Sequence, residues 1–183
     1  MDHHEHAQGC CQAEHNSRRS FLKLAALGAG VSLLAPTFSR SAFAAGGVDT
    51  LLLSCMDYRL MGHVAGYMQS RNLLANYDHI VLAGASLGAL TDKKPGWGEA
   101  FWDHVGVAKD LHHIKRLIVM DHRDCGAYKV FLGMDLKDDT AKEGDVHGQY
   151  LTRLKAMVKE RHPDLEVELL LMGLDGQVEK MSA

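Results

Sequence analysis

Two apolar runs in this chain stop abruptly at metal-binding or titratable side chains, and that pairing limits the folds open to it. Leu117-Ile118-Val119-Met120 is short and contains β-branched residues, so it reads as a buried parallel strand. Just beyond its carboxyl end stand His122 and Cys125, spaced His-x-x-Cys and followed by Gly126. Far upstream, Leu51-Leu52-Leu53 ends the same way, in Cys55, Asp57 and Arg59. In open α/β sheets, ligands bind beyond the carboxyl ends of strands, where the strand order reverses. Two cysteines and a histidine delivered there by two strands make a three-ligand zinc site with a free fourth position.

The remaining segments alternate in a way that suits such a sheet. Strand one is expected over Thr50–Ser54 and a helix over Leu60–Leu74, with Val64, Tyr67, Met68 and Leu74 near helical spacing. Strand two is expected over Ile80–Ala83, closed by a tight turn at Gly84-Ala85-Ser86-Leu87-Gly88, and Asp92–Gly98 reads as a loop. The next helix is expected over Trp97–His113, its apolar face set by Phe101, Val105, Ala108 and Leu111. After strand three, Leu117–Met120, come a short helix over Ala127–Leu132 and an acidic loop over Lys137–Gly144. Asp145 is expected to cap a long helix, Val146–Arg161, which Pro163 stops. Strand four is Val167–Met172, and the following GLDGQVEK turns into a short edge strand. Strand–helix alternation of this kind gives a mostly parallel sheet with right-handed crossovers.

The amino end reads as an address rather than as fold. Ser17-Arg18-Arg19-Ser20-Phe21-Leu22-Lys23 matches a twin-arginine export signal at every position. A Gly/Ala-diluted apolar stretch, Leu24–Ala35, and a small-x-small cleavage site, Ala42-Phe43-Ala44, follow it. That stretch is shorter than the roughly 20 apolar residues of a membrane-spanning helix. The expected division is therefore a signal peptide at 1–44 and a zinc domain at 45–183, delivered to the periplasm by the twin-arginine machinery. Ahead of the signal, His3, His4, His6, Cys10, Cys11 and His15 form a tract able to bind metal, read as part of the cleaved leader. Removing four basic and three acidic side chains with it moves the formal charge from −3 to −4, and no basic stripe is left to suit a nucleic acid.

Cys55-Met56-Asp57-Tyr58-Arg59 together with His122-Arg123-Asp124-Cys125-Gly126 resembles the β-class carbonic anhydrases. Those proteins carry Cys-x-Asp-x-Arg after the first strand and His-x-x-Cys-Gly after a later one. The similarity extends, more weakly, to the Ala83-Gly84 turn and the Leu174-Asp175-Gly176-Gln177-Val178 hairpin, so it covers most of Asp49–Val178. The resemblance implies a four-stranded parallel sheet in the order 2-1-3-4, flanked by helices, to which the edge strand read from the GLDGQVEK tail would be a fifth. It implies zinc held by Cys55, His122 and Cys125, with Asp57 kept off the metal by Arg59 and accepting a hydrogen bond from the water there. It further implies reversible hydration of carbon dioxide to bicarbonate in a homodimer or larger assembly. Two departures stand out. Family members carry N-terminal helices and a pocket glutamine where processing would leave only a short lead-in to Cys55. Their Arg-Asn-Ala-Gly segment is Val81-Leu82-Ala83-Gly84 here.

Each feature has a competing reading. Cys55 and Cys125, the two cysteines outside the leader, could form a disulfide, the default pair in an exported protein. A disulfide, however, needs neither His122 nor Asp57 and Arg59, and twin-arginine export carries cargo that folds, and can load zinc, in the reducing cytoplasm. The domain could also be a non-catalytic zinc-binding member of the same fold. Gly84-Ala85-Ser86-Leu87-Gly88 fits the Gly-x-Ser-x-Gly elbow of serine hydrolases, with Asp121 and His122 as conceivable partners for Ser86. His147, at the start of the long helix, is a conceivable proton shuttle, and Arg123 and Asp124 are expected to face solvent or fix their loop.

Overall fold

Thr50–Ser54 forms β1 at the expected bounds, and every one of its residues is buried. The computed structural model describes residues 48–182; the expected signal peptide and its cleavage site lie outside the described residues. Leu51 and Leu53 enter one apolar cluster and Leu52 another. A strand covered on both faces has no solvent side to alternate toward, which is why the interior of β1, Leu51-Leu52-Leu53, is apolar throughout. Arg116–His122 forms β3, and Glu166–Met172 forms β4. β2 is Tyr77–Val81, three residues earlier than the sequence suggests, because polar Tyr77, Asp78 and His79 take the ladder positions at a half-exposed edge.

The sheet order is β2-β1-β3-β4-β5, with β5 at Val178–Lys180. The first four strands are parallel and β5 runs antiparallel to β4, so the expected 2-1-3-4 order and the fifth edge strand are both present. Ser54 pairs with Met120, which brings the carboxyl ends of β1 and β3 side by side. On one face, α1 at Met61–Ser70 packs Val64 and Met68 against Leu52, Ile118, Met120 and Leu170. The other face takes α2 at Ser86–Leu90, α3 at Pro95–His112, α4 at Gly126–Leu132 and α5 at Thr140–Arg161. Phe101, Val105, Leu151, Leu154 and Val158 fill that second core with Leu51, Leu53, Leu117 and Val119.

Several expectations need correction. α1 ends at Ser70, because Asn72 and Ala75 adopt left-handed backbone, and Leu74 is left half exposed. Leu111 stands 68% exposed rather than on the buried face of α3. The 84–88 segment is not a plain turn: Gly84 turns the chain and a helix begins at Ser86. α5 starts at Thr140, not Val146, since Asp139 rather than Asp145 caps it, accepting the Lys142 N–H at 3.0 Å. No described helix is long and apolar enough to cross a membrane.

Candidate metal centre

Cys55 follows the last residue of β1, His122 ends β3, and Cys125 precedes the first turn of α4. The two adjacent strand ends therefore bring together side chains that lie 70 residues apart in sequence. One ligand atom from each of Cys55, His122 and Cys125 lies within 4.8 Å of the others, and all three residues are buried. The two sulfurs are 3.9 Å apart and both cysteines are free. That separation suits a shared ion: ligands about 2.3 Å from a tetrahedral zinc stand about 3.8 Å apart. A disulfide would bring the sulfurs to about 2.05 Å.

The histidine is set for the same task. Its Nδ1 lies 2.8 Å from the Arg123 carbonyl, which can only accept, so Nδ1 donates there and Nε2 is the ring atom left for the triplet. Nε2 is buried without a hydrogen-bond partner among the described residues, a costly state for a polar atom unless something else engages it. Hydrogen bonding from the Cys125 thiol, assisted by His122 and the Gly84 N–H at 3.2 Å, outweighs burial and pulls Cys55 down to about 4. Cys125 is driven up in turn, since its proton serves the Cys55 thiolate. Burial alone would lower the His122 imidazole, but the adjoining thiolate carries it above its ordinary value. An ionised thiolate, a second sulfur and an oriented imidazole form a donor set that fits zinc.

Asp57 and Arg59 sit at the mouth of the triplet. Arg59 grips Asp57 through Nε at 3.0 Å and Nη2 at 2.7 Å, and its backbone N–H adds a third bond at 3.0 Å. Those bonds hold Asp57 at about 2, against the smaller cost of its burial. Asp57 Oδ2 lies 3.9 Å from His122 Nε2. Arg59 also reaches the loop between the other two ligands, through Nη1 to the Asp124 carboxylate at 2.8 Å and Nη2 to its carbonyl at 3.0 Å. Arg123 and Asp124 thus fix the loop, and their anchor is a residue the sequence did not single out, Glu143 on α5.

Behind the triplet lies a second buried cluster. Asp121, 1% exposed, accepts from Ser86 N–H at 2.9 Å, Ser86 Oγ at 2.6 Å and Tyr128 OH at 2.6 Å, and its Oδ2 meets His147 Nδ1 at 2.9 Å. This carboxylate ties α2, α4 and α5 to the end of β3. Ser86 is wholly buried, donates its hydroxyl to Asp121 and meets no histidine there among the described residues, so it is not placed as a nucleophile. His147 is 1% exposed and serves this cluster; no hydrogen bond joins it to the triplet. The sequence sets Asp121 beside Ser86, but in a hydrolase reading with His122 as the third member, whereas the structure completes the cluster with Tyr128 and His147. A surface cleft of about 1140 Å³ runs along α5 and touches none of the three candidate ligands, whereas a pocket of about 300 Å³ reaches Cys125 and His147.

A family model described as "Putative carbonic anhydrase" matches residues 47–182. The chain belongs to that family. Uncharacterised proteins of Rickettsia conorii and Rickettsia bellii are 39% and 38% identical to it over 133 residues, 73% of this chain and 72% and 81% of theirs. Among solved structures, a carbonic anhydrase from Glaciozyma antarctica superposes with a TM-score of 0.50 at 18% identity, covering 92% of this chain and 97% of that one. At that identity the likeness speaks to the fold. The parallel sheet of that fold carries the Cys-His-Cys group at the junction of β1 and β3.

Proposed function

We propose that this family member is a zinc-dependent carbonate dehydratase, interconverting carbon dioxide and water with bicarbonate and a proton. The observation that carries the reading is the Cys55–His122–Cys125 triplet with a carboxylate held at its mouth and restrained from entering it. Cys55, His122 and Cys125 would hold the metal, which when bound supplies Lewis acidity and a water more easily stripped of its proton. Asp57 Oδ2 is the acceptor for the O–H of a water entering beside His122 Nε2, turning its lone pair toward the carbon of the substrate. Arg59 keeps that carboxylate ionised and aimed, and its planar fork is what lysine would lack.

Two thiolates offset the charge of a divalent ion, leaving less field to acidify water than the three-histidine site whose water has a pKa of about 7. The rate should therefore climb toward alkaline pH. Stopped-flow hydration of carbon dioxide by the zinc-loaded full chain tests the reading. The expected result is a zinc-dependent rate that rises with pH. A chain with one bound zinc and no rate above the buffer's own would favour the second reading, a non-catalytic zinc-binding member of the fold. A homodimer or larger assembly belongs to the proposal: Met56 and Tyr58, on the loop that carries Asp57, are 63% and 85% exposed, and β2 is an edge strand among the described residues.

A further inference from the structure

The Asp57 pair accounts for only part of what holds Arg59. The bidentate pair fixes the two side chains against each other, but Arg59 is one-third exposed and the pair alone does not tie it to the loop that carries the other ligands. The remaining guanidinium N–H groups turn to Asp124, at 2.8 Å to the carboxylate and 3.0 Å to the carbonyl. Asp124 is itself constrained. Its backbone sits in the left-handed region at φ +53, and its N–H donates at 2.6 Å to Oε1 of Glu143. Glu143 is 4% exposed and lies in the first turn of α5; its other oxygen accepts from Arg123 Nη1 at 3.1 Å. A continuous line of contacts therefore runs Glu143, Asp124, Arg59, Asp57, and its second member, Asp124, lies between His122 and Cys125 in the chain. A carboxylate 3.9 Å from His122 Nε2 needs only a side-chain rotation to reach an ion held by the triplet.

We propose that Asp124, braced by Glu143, is a positioning residue that holds Arg59 in place and so keeps Asp57 out of the metal's fourth coordination position. The proposal rests on the metal-centre reading but not on carbon dioxide being the substrate. Loss of the Asp124 carboxylate frees one side of the guanidinium, lets Arg59 follow Asp57, and closes the site with a fourth protein ligand. Loss of the Glu143 charge releases Arg123 and softens the same loop, so it acts in the same direction and more weakly.

The test uses the full chain with Cys10→Ser and Cys11→Ser, which leaves Cys55 and Cys125 as its only thiols, loaded with cobalt(II) and titrated with thiocyanate. Thiolate-to-cobalt absorption reports that the ion sits on these two cysteines, and the visible bands report whether an anion can still reach it. Asp124→Asn keeps size and a residue that tolerates left-handed backbone. It is expected to keep the thiolate band while thiocyanate binds roughly tenfold more weakly, the effect of losing one charge-assisted hydrogen bond. Glu143→Gln should shift affinity the same way by less, and Arg59→Ala should abolish the thiocyanate response. Lys109→Ala, which breaks a pair with Asp164 at the opposite end of the sheet, should change nothing. Unchanged thiocyanate affinity in Asp124→Asn overturns the proposal, as does loss of its thiolate band, which would make Asp124 a folding residue of the loop. Absence of that band from the parent chain would remove the metal centre and this proposal together. A parent chain with the band, the expected anion series and no hydration activity would contradict the proposed reaction alone.

Discussion

Cys55 and Cys125 hold one proton between them in the metal-free chain. With Cys55 down at about 4 and Cys125 driven up, one thiolate and one thiol persist across the neutral range. The sign follows: the lowered group binds its proton only as pH falls through about 4. Its contribution to stability grows with pH from there to the ordinary thiol value of about 8.5. In the chain carrying Cys10→Ser and Cys11→Ser, thiolate absorbance in the ultraviolet should fall by one equivalent across that acidic step. Both site thiols titrating together near 8.5 would contradict the geometry. At this scale the sequence was most informative. Cys55, Asp57, Arg59, His122 and Cys125 are conspicuous because each breaks an apolar pattern at a strand end. Glu143 was not, since its partner is a backbone N–H on a loop 19 residues away and no local spacing announces such a bond.

Strands were easier to read than helix starts. β1 and β3 are buried on both faces, so hydrophobic continuity marks them, whereas the half-exposed edge strand β2 carries a weaker signal. Glycine and serine made 84–88 look like a turn, because both disfavour helix. The structure supplies the reason they are there. A Cβ at Gly88 would stand 2.6 Å from the Ala83 carbonyl and 3.1 Å from Leu82 Cβ, so α2 can rest on the end of β2 only without a side chain at that point. Gly88→Ala should cost about 2 kcal/mol through overpacking. It should also weaken metal binding, because the displaced turn carries the Gly84 N–H that meets Cys55. A denaturant midpoint and zinc affinity equal to those of the parent would show that the turn absorbs the methyl group without moving.

Across the whole molecule, the alternation of strands and helices gave the parallel sheet, and the family resemblance gave its order. Beyond the pairing of Asp121 with Ser86, the sequence did not disclose the buried cluster that fastens three helices to the end of β3, since its members come from four separate segments. Delivery of the folded chain to the periplasm is our proposal from Ser17–Lys23. Changing Arg18 and Arg19 to lysine should leave a longer precursor in the cytoplasm, and arrival of the double variant at the processed length would refute the signal. The central claim is that Cys55, His122 and Cys125 together hold zinc with a position left open. X-ray absorption at the zinc edge of the full chain carrying Cys10→Ser and Cys11→Ser tests it most directly. The account predicts two sulfurs at about 2.3 Å and one imidazole nitrogen at about 2.0 Å, with a light fourth scatterer, and one sulfur fewer in Cys125→Ser. Bound zinc without sulfur scattering, or a Cys55–Cys125 disulfide in the purified chain, would contradict it.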